Sequence, residues 1–239
     1  MSTLGRLLEV QALDLEADAL LRKRETLPER EVLAGVEANQ ASLAAESATV
    51  HARNEELARA ERELSGEVAT IAGKAREVED NLYSGSVTVP KELDGLQQEL
   101  ALLKTKQEEV EERELTLLEQ MEEVEGALTA GAAGAQDLAA RAEEVRGVLA
   151  SSEAVIDAEI ADLAQRAGGL RADVPVEVLE AYDRLRGNAR LAGRAAVGLA
   201  SKTCSGCQLD MPVLEYSRIR DAPEDALVTC VHCHRLLIR

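Results

Sequence analysis

The stretch VEANQASLAAESATVHARNEELARAERELSGEVATIAGKAREV, residues 36–78, decides the fold. Stepping by seven from Val36 meets Leu43, Val50, Leu57, Leu64, Ile71 and Val78, an unbroken aliphatic column. A strict seven-residue repeat keeps one seam of a helix against a partner and imposes a left-handed supercoil. The interleaved column is polar (Gln40, Ser47, Asn54, Glu61). It predicts either partial cover by a third helix or loose pairing.

Further along, Leu96, Leu103, Val110, Leu117 and Val124 form a second aliphatic column, which meets Gly131 and resumes at Leu138 and Val145. A further column interleaves with it: Leu93 and Leu100, then polar Gln107 and Glu114, then Met121, Leu128, Ala135, Ala142, Leu149, Ile156, Leu163 and Leu170. These are the a and d positions of one long helix. Between the two periodic runs lies NLYSGSVTVPKEL, residues 81–93. Ser84-Gly85-Ser86 breaks the first helix, Val87-Thr88-Val89 is extended, and Pro90 opens the next. With the turn near residues 82–90, residues 2–81 and 91–170 become equal arms of an antiparallel hairpin. Each would span about 120 Å if straight. Pro28 predicts a kink in the first arm, and Leu13, Leu20 and Leu27 form a column out of phase with Val36. Residues 126–137, GALTAGAAGAQD, either bend the second arm or let two backbones approach closely.

The composition agrees with a mainly α protein. Phe and Trp are absent and Tyr occurs three times, so Leu, Val and Ala must build the core. The formal net charge is −18. It is concentrated before residue 171, where 17 basic residues face 36 acidic ones. From residue 171 onward ten basic residues meet nine acidic ones. An acidic coil repels nucleic acid, so contacts with DNA or RNA would fall to the C-terminal part. No apolar run is long enough to span a membrane. The opening MSTLGRLLEVQALDLEAD lacks a signal-peptide pattern. The expected compartment is the cytoplasm, where four cysteines do not serve as structural disulfides.

Residues 171–239 read as a second domain after a coiled-coil domain of residues 1–170. Gly168-Gly169 and Val174-Pro175 interrupt the coil. Asp173 is a candidate N-cap for a short helix, residues 176–186, closed by Gly187. Residues 194–200 read as a strand leading into Cys204, and residues 212–220 as a short helix. The cysteines Cys204, Cys207, Cys230 and Cys233 follow C-x2-C-x22-C-x2-C. Two Cys-x-x-Cys knuckles supply four soft donors with the bite that a tetrahedral, structural zinc ion takes. A module this small lacks the core to fold without such a staple.

Three rival chemistries fail on the same residues. Cys230, Cys233 and His234 match a haem-attachment motif, but that chemistry leaves Cys204 and Cys207 without a role. A thioredoxin-like dithiol needs a βαβ setting that is lacking. A catalytic zinc keeps an open position, whereas four cysteines complete the shell; His232 and His234 are alternative ligands only if a cysteine is not one. The sequence offers no nucleophile–base pair and no phosphate loop, so a non-enzymatic role is expected. The candidate nucleic-acid contacts are Arg184, Arg186, Arg190, Arg194, Lys202, Arg218, Arg220, Arg235 and Arg239.

The segments NLYSGSVTVPKELDGLQQEL, YDRLRGNARLAGRAAVGLASKTCSGC and VTCVHCHRLLIR resemble a bacterial family of coiled-coil hairpin proteins with a C-terminal four-cysteine zinc ribbon. The resemblance implies a kinked helical hairpin, one zinc ion and a non-enzymatic role. In some members that role is partnership with an alternative sigma factor, flagellar gene control or binding of messenger RNA. It suggests an adaptor: a coiled-coil arm for protein partners and a zinc ribbon for nucleic acid or the transcription machinery. The alternative is a scaffold or spacer that dimerises through its coil; the pattern suits a monomer and a homodimer equally. Two positions depart from the family's pattern: His234 stands where a glycine is usual, and Ile238 where an aromatic closes the last strand.

Overall fold

Proline opens both long helices, because its fixed φ suits the first turn and its missing N–H would be unpaired there anyway. In the computed structural model, which describes residues 4–223 and 226–239, helix α1 is Gly5–Glu25, α2 begins at Pro28 (Pro28–Tyr83) and α3 at Pro90 (Pro90–Arg171). The first residues of the first arm, and the acids Glu224 and Asp225, lie outside the described residues. Pro28 therefore does more than kink the first arm: the helix stops and restarts. Thr26 Oγ1 donates to the Arg22 carbonyl at 2.9 Å and Arg30 Nε to that of Arg24 at 3.1 Å, tying off the break. At the turn Gly85 takes φ +73°, the left-handed region that favours glycine, and the Ser84 and Ser86 hydroxyls bond at 2.7 Å.

Packing divides the described chain into two compact units. The first joins residues up to Glu31 with Arg146–Arg239; the second is Val32–Val145. A boundary at residue 170 follows chain order, whereas this division groups α1 and the end of α3 with the C-terminal module.

The second unit is an antiparallel pair of helices joined by the turn. Val36, Leu57, Ile71 and Val78 of the sequence column are buried, as are Leu100 and Val110 opposite. Ala75, Val78 and Leu100 pack with Leu82, Leu96 and Leu103. Each such aliphatic contributes about 1.5–3 kcal/mol on burial. The polar positions Gln40, Ser47, Asn54 and Glu61 are half-buried on the same seam. Where they lie, α3 offers small residues. A methyl group at Gly131 would sit 3.3 Å from Ser47 Oγ, and one at Gly134 would sit 3.4 Å from Leu43 Cδ2. The glycine-rich segment is thus a place of close approach, and α3 runs through it without a break.

In the first unit Leu13 of α1 packs on Leu163 and Ala167 of α3. Arg24 pairs with Asp157 at 2.9 Å, and Arg30 with Glu153. Helix α3 continues through Gly168-Gly169 to Arg171, contrary to the break expected there. Leu170 packs against the first unit's core, and this tertiary burial offsets the glycine cost of roughly 1 kcal/mol each. Helix α4 (Val176–Arg186) follows. Its N-cap is Pro175, with no side-chain cap; Asp173, the expected cap, pairs with Arg6 of α1 instead. Gly187 ends α4 at φ −68°, so it acts without left-handed geometry.

After a 3-10 turn at Ala189–Leu191 come β1 (Ala196–Ala200), β2 (Thr203–Cys204), α5 (Val213–Asp221) and β3 (Leu236–Ile238). The sheet order is β2-β1-β3, with β1 antiparallel to β2 and parallel to β3. Side chains alternate across a sheet, and here both faces are covered. Ala196, Leu236 and Ile238 pack with Leu4, Leu7 and Val10 of the N-terminal segment and with Val178 and Tyr182 of α4. Val197 and Leu237 face the other way, toward Cys204, Met211, Ile219 and Cys230. Gln11, buried, fastens α1 to the central strand: its Nε2 donates to the Ala196 carbonyl at 2.8 Å and its Oε1 accepts the Ala196 N–H at 2.7 Å.

Candidate metal centre

Two loops with the same backbone pattern carry the cysteines. In the first, the Gln208 N–H donates to the Cys204 carbonyl at 2.8 Å, and the Cys204 N–H to that of Leu209 at 3.1 Å. In the second, the His234 N–H donates to the Cys230 carbonyl at 2.9 Å, and the Cys230 N–H to that of Arg235 at 2.9 Å. Each closure turns backbone N–H groups toward sulfur. Those of Gly206 and Cys207 point at Cys204, and that of Leu209 at Cys207. Those of His232 and Cys233 point at Cys230, and that of Arg235 at Cys233. Such donors favour thiolates, the form that binds metal.

The four Sγ atoms lie within 4.8 Å of one another. Cys204 to Cys233, and Cys207 to Cys230, each measure 3.8 Å across the two loops. A tetrahedral zinc ion with bonds of about 2.3 Å has sulfur–sulfur edges of about 3.8 Å. All four are free thiols, and Cys204 and Cys230 are fully buried. The donor set and its spacing thus fit a four-thiolate metal site. Burial pushes the Cys204, Cys207 and Cys230 thiols up. At Cys233 burial is outweighed by the N–H and guanidinium of Arg235 and by neighbouring thiols, which hold it at about 7. His232 turns away from the sulfurs, its Nε2 lying 3.3 Å from the Asp210 carbonyl.

Both loops need a left-handed residue directly after the second cysteine. Gln208 and His234 each take φ +59° there. Glycine takes this conformation without strain, whereas a histidine there carries a cost. His234→Gly is expected to stabilise the module by about 0.5–1 kcal/mol, the relief of strain exceeding the added freedom of the unfolded chain. A thermal melt in the presence of a competing chelator checks this. An unchanged or lower midpoint would mean that the histidine side chain makes a compensating contact.

The nine basic candidates are not one displayed patch. Arg186 reaches Asp18 at 2.7 Å, Lys202 pairs with Asp210 at 2.9 Å, and Arg218 with Glu215 at 2.9 Å. Arg220 meets Asp221 at 3.1 Å. Arg235 Nε donates to the Arg194 carbonyl at 2.8 Å, and Arg239 caps the end of α5 by donating to the carbonyls of Ile219, Ala222 and Pro223. Arg184, Arg190 and Arg194 are exposed, with no ion pair among the described residues.

Sequence reasoning missed a polar cluster under the module. Tyr182, fully buried, donates its hydroxyl to Asp14 Oδ2 at 2.8 Å. Burial, then Asp14, pushes the phenol well above its ordinary range. Arg171 bridges Asp183 at 2.8 Å and Asp14 at 3.3 Å. Its only sequence signal was Tyr182 itself, one of three tyrosines in a chain without Phe or Trp.

The model of the CT398-like coiled coil hairpin domain matches residues 10–190. Uncharacterized protein Rv2229c of Mycobacterium tuberculosis H37Rv is 27% identical over 233 residues, which cover 98% of this chain and 94% of that one. A solved structure from Mycobacterium smegmatis superposes with a TM-score of 0.81 at 21% identity, covering 100% of this chain and 97% of its own. That of CT398 from Chlamydia trachomatis gives 0.68 at 21% identity, with 99% and 97% covered. At these identities the solved structures share the fold, and the match over most of the length carries the assignment: the chain belongs to the family of CT398-like coiled-coil hairpin domains.

Proposed function

We propose that this protein is a non-enzymatic adaptor. One structural zinc ion, held by Cys204, Cys207, Cys230 and Cys233, folds its C-terminal module, and its helical hairpin serves protein partners. The observation that carries this is the sulfur cage: four thiols within 4.8 Å of one another, two of their edges at the 3.8 Å of a tetrahedral zinc site, backed by backbone N–H groups from both loops. Four thiolates complete zinc's shell and leave no position for a reacting water. The metal's work is therefore folding and shape.

A protein-binding role for the hairpin is supported by side chains that it does not bury. Leu115 and Leu118, one helical turn apart on α3, are exposed, as is Leu102. The acidic charge of the same region disfavours nucleic acid. Contact with DNA or RNA then falls to Arg184, Arg190 and Arg194, because the other six candidates hold acids or carbonyls. The test is a titration of the full-length protein against labelled single-stranded RNA and duplex DNA at low salt. The expected affinity is weak, salt-dependent and lost when these three arginines become alanine. Binding that survives the triple substitution would contradict the assignment, and a flat titration would leave the protein adaptor alone.

A further inference from the structure

The two cysteine loops match in backbone but differ in the residue that closes them. The carbonyl that accepts the first cysteine's N–H belongs to Leu209 in one loop and to Arg235 in the other. Leu209 is half-exposed, whereas Arg235 folds back over the site. The Arg235 stem lies on the first loop: a methyl group at Gly206 would sit 3.0 Å from Arg235 Cδ and 2.7 Å from Val197 Cγ1. Its Nε is fixed by the Arg194 carbonyl at 2.8 Å. Its own carbonyl closes the second loop by accepting the Cys230 N–H at 2.9 Å. One residue thus touches both loops and the segment entering β1.

Residues that hold the loops of a metal site fix the spacing of its ligands without binding the metal themselves. From this arrangement we infer that Arg235 is a positioning residue of the metal centre: it clasps the two cysteine loops together and so slows metal loss. The inference rests on the zinc reading above. It also removes Arg235 from the nucleic-acid contacts.

The experiment compares full-length wild type, Arg235→Lys, which keeps the stem, and Arg235→Ala, which removes it, each first analysed for bound zinc. Zinc release on adding N-ethylmaleimide is followed with a chromogenic zinc indicator. The sulfur-to-metal charge-transfer bands are recorded after cobalt substitution. Losing a residue that supports the ligands typically weakens a metal site by about 10–100-fold, so Arg235→Ala should release zinc about tenfold faster, with shifted bands, while Arg235→Lys stays within roughly threefold of wild type. Wild-type rates and bands in Arg235→Ala would overturn the inference. So would Arg235→Lys behaving like Arg235→Ala, because the stem that lysine keeps on Gly206 would then hold nothing. A wild-type protein without zinc would instead refute the metal reading itself.

Discussion

Cys230→Ser should strip the protein of its metal and unfold the C-terminal module while the hairpin stays folded. Cys230 is fully buried, and Val197, Cys204, Met211, Ile219 and Leu237 pack with it in one small cluster. That cluster cannot offset the conformational entropy of the module by itself. Structural zinc supplies about 10–16 kcal/mol of apparent binding free energy in small metal-folded domains. Losing one of four ligands forfeits most of it. The seam of the second unit has its own core, Leu57 and Val110 among it, and owes nothing to sulfur. Hydrogen exchange should therefore show the amides of Val197 and Leu237 unprotected and those around Leu57 and Val110 unchanged. Far-UV dichroism should keep most of its helical signal, since α1, α2 and α3 carry most of the helix. Retained zinc, with protected strand amides, would contradict this.

Tyr182→Ala should cost about 3–5 kcal/mol, the usual range for emptying a buried aromatic site. The ring has no exposed surface and lies in one cluster with Leu7, Val10 and Val178, beneath Ala196 and Leu236. Its loss opens a cavity between α4, the N-terminal helix and the sheet. Tyr182→Phe keeps the ring and removes only the hydrogen bond to Asp14. Asp14 retains Arg171 at 3.3 Å and Arg186 at 3.6 Å, so this variant should cost about 1 kcal/mol. Chemical denaturation followed at the first unit's amides separates the two. Equal losses in both variants would mean that the Asp14 cluster, and not the packing of the ring, holds this unit together.

Much of the architecture was legible because it is local. The seven-residue column from Val36, the Ser84-Gly85-Ser86 break and the prolines at 28 and 90 each act within a turn or two of their own position. Cysteine spacing predicted which thiols would meet, because each loop sets its own bite. What was not legible depends on partners far away in sequence. Asp173 looks like a cap until Arg6 is seen beside it. Gly168-Gly169 looks like a stop until the burial around Leu170 is known. Gln11 carries no signal in the sequence, yet it bonds both backbone groups of Ala196. Arg235 looks like one surface cation among nine until its stem is found lying on Gly206. His234 could be seen to depart from the family's pattern, but the reason, φ +59°, is a backbone angle that only the fold supplies.

X-ray absorption at the zinc edge of the purified full-length protein tests the central claim most directly. A closed four-thiolate site predicts about one zinc per chain, with four sulfur neighbours at about 2.3 Å and no nitrogen or oxygen shell. Iron in place of zinc, or a shell of fewer sulfurs completed by nitrogen or water, would contradict it.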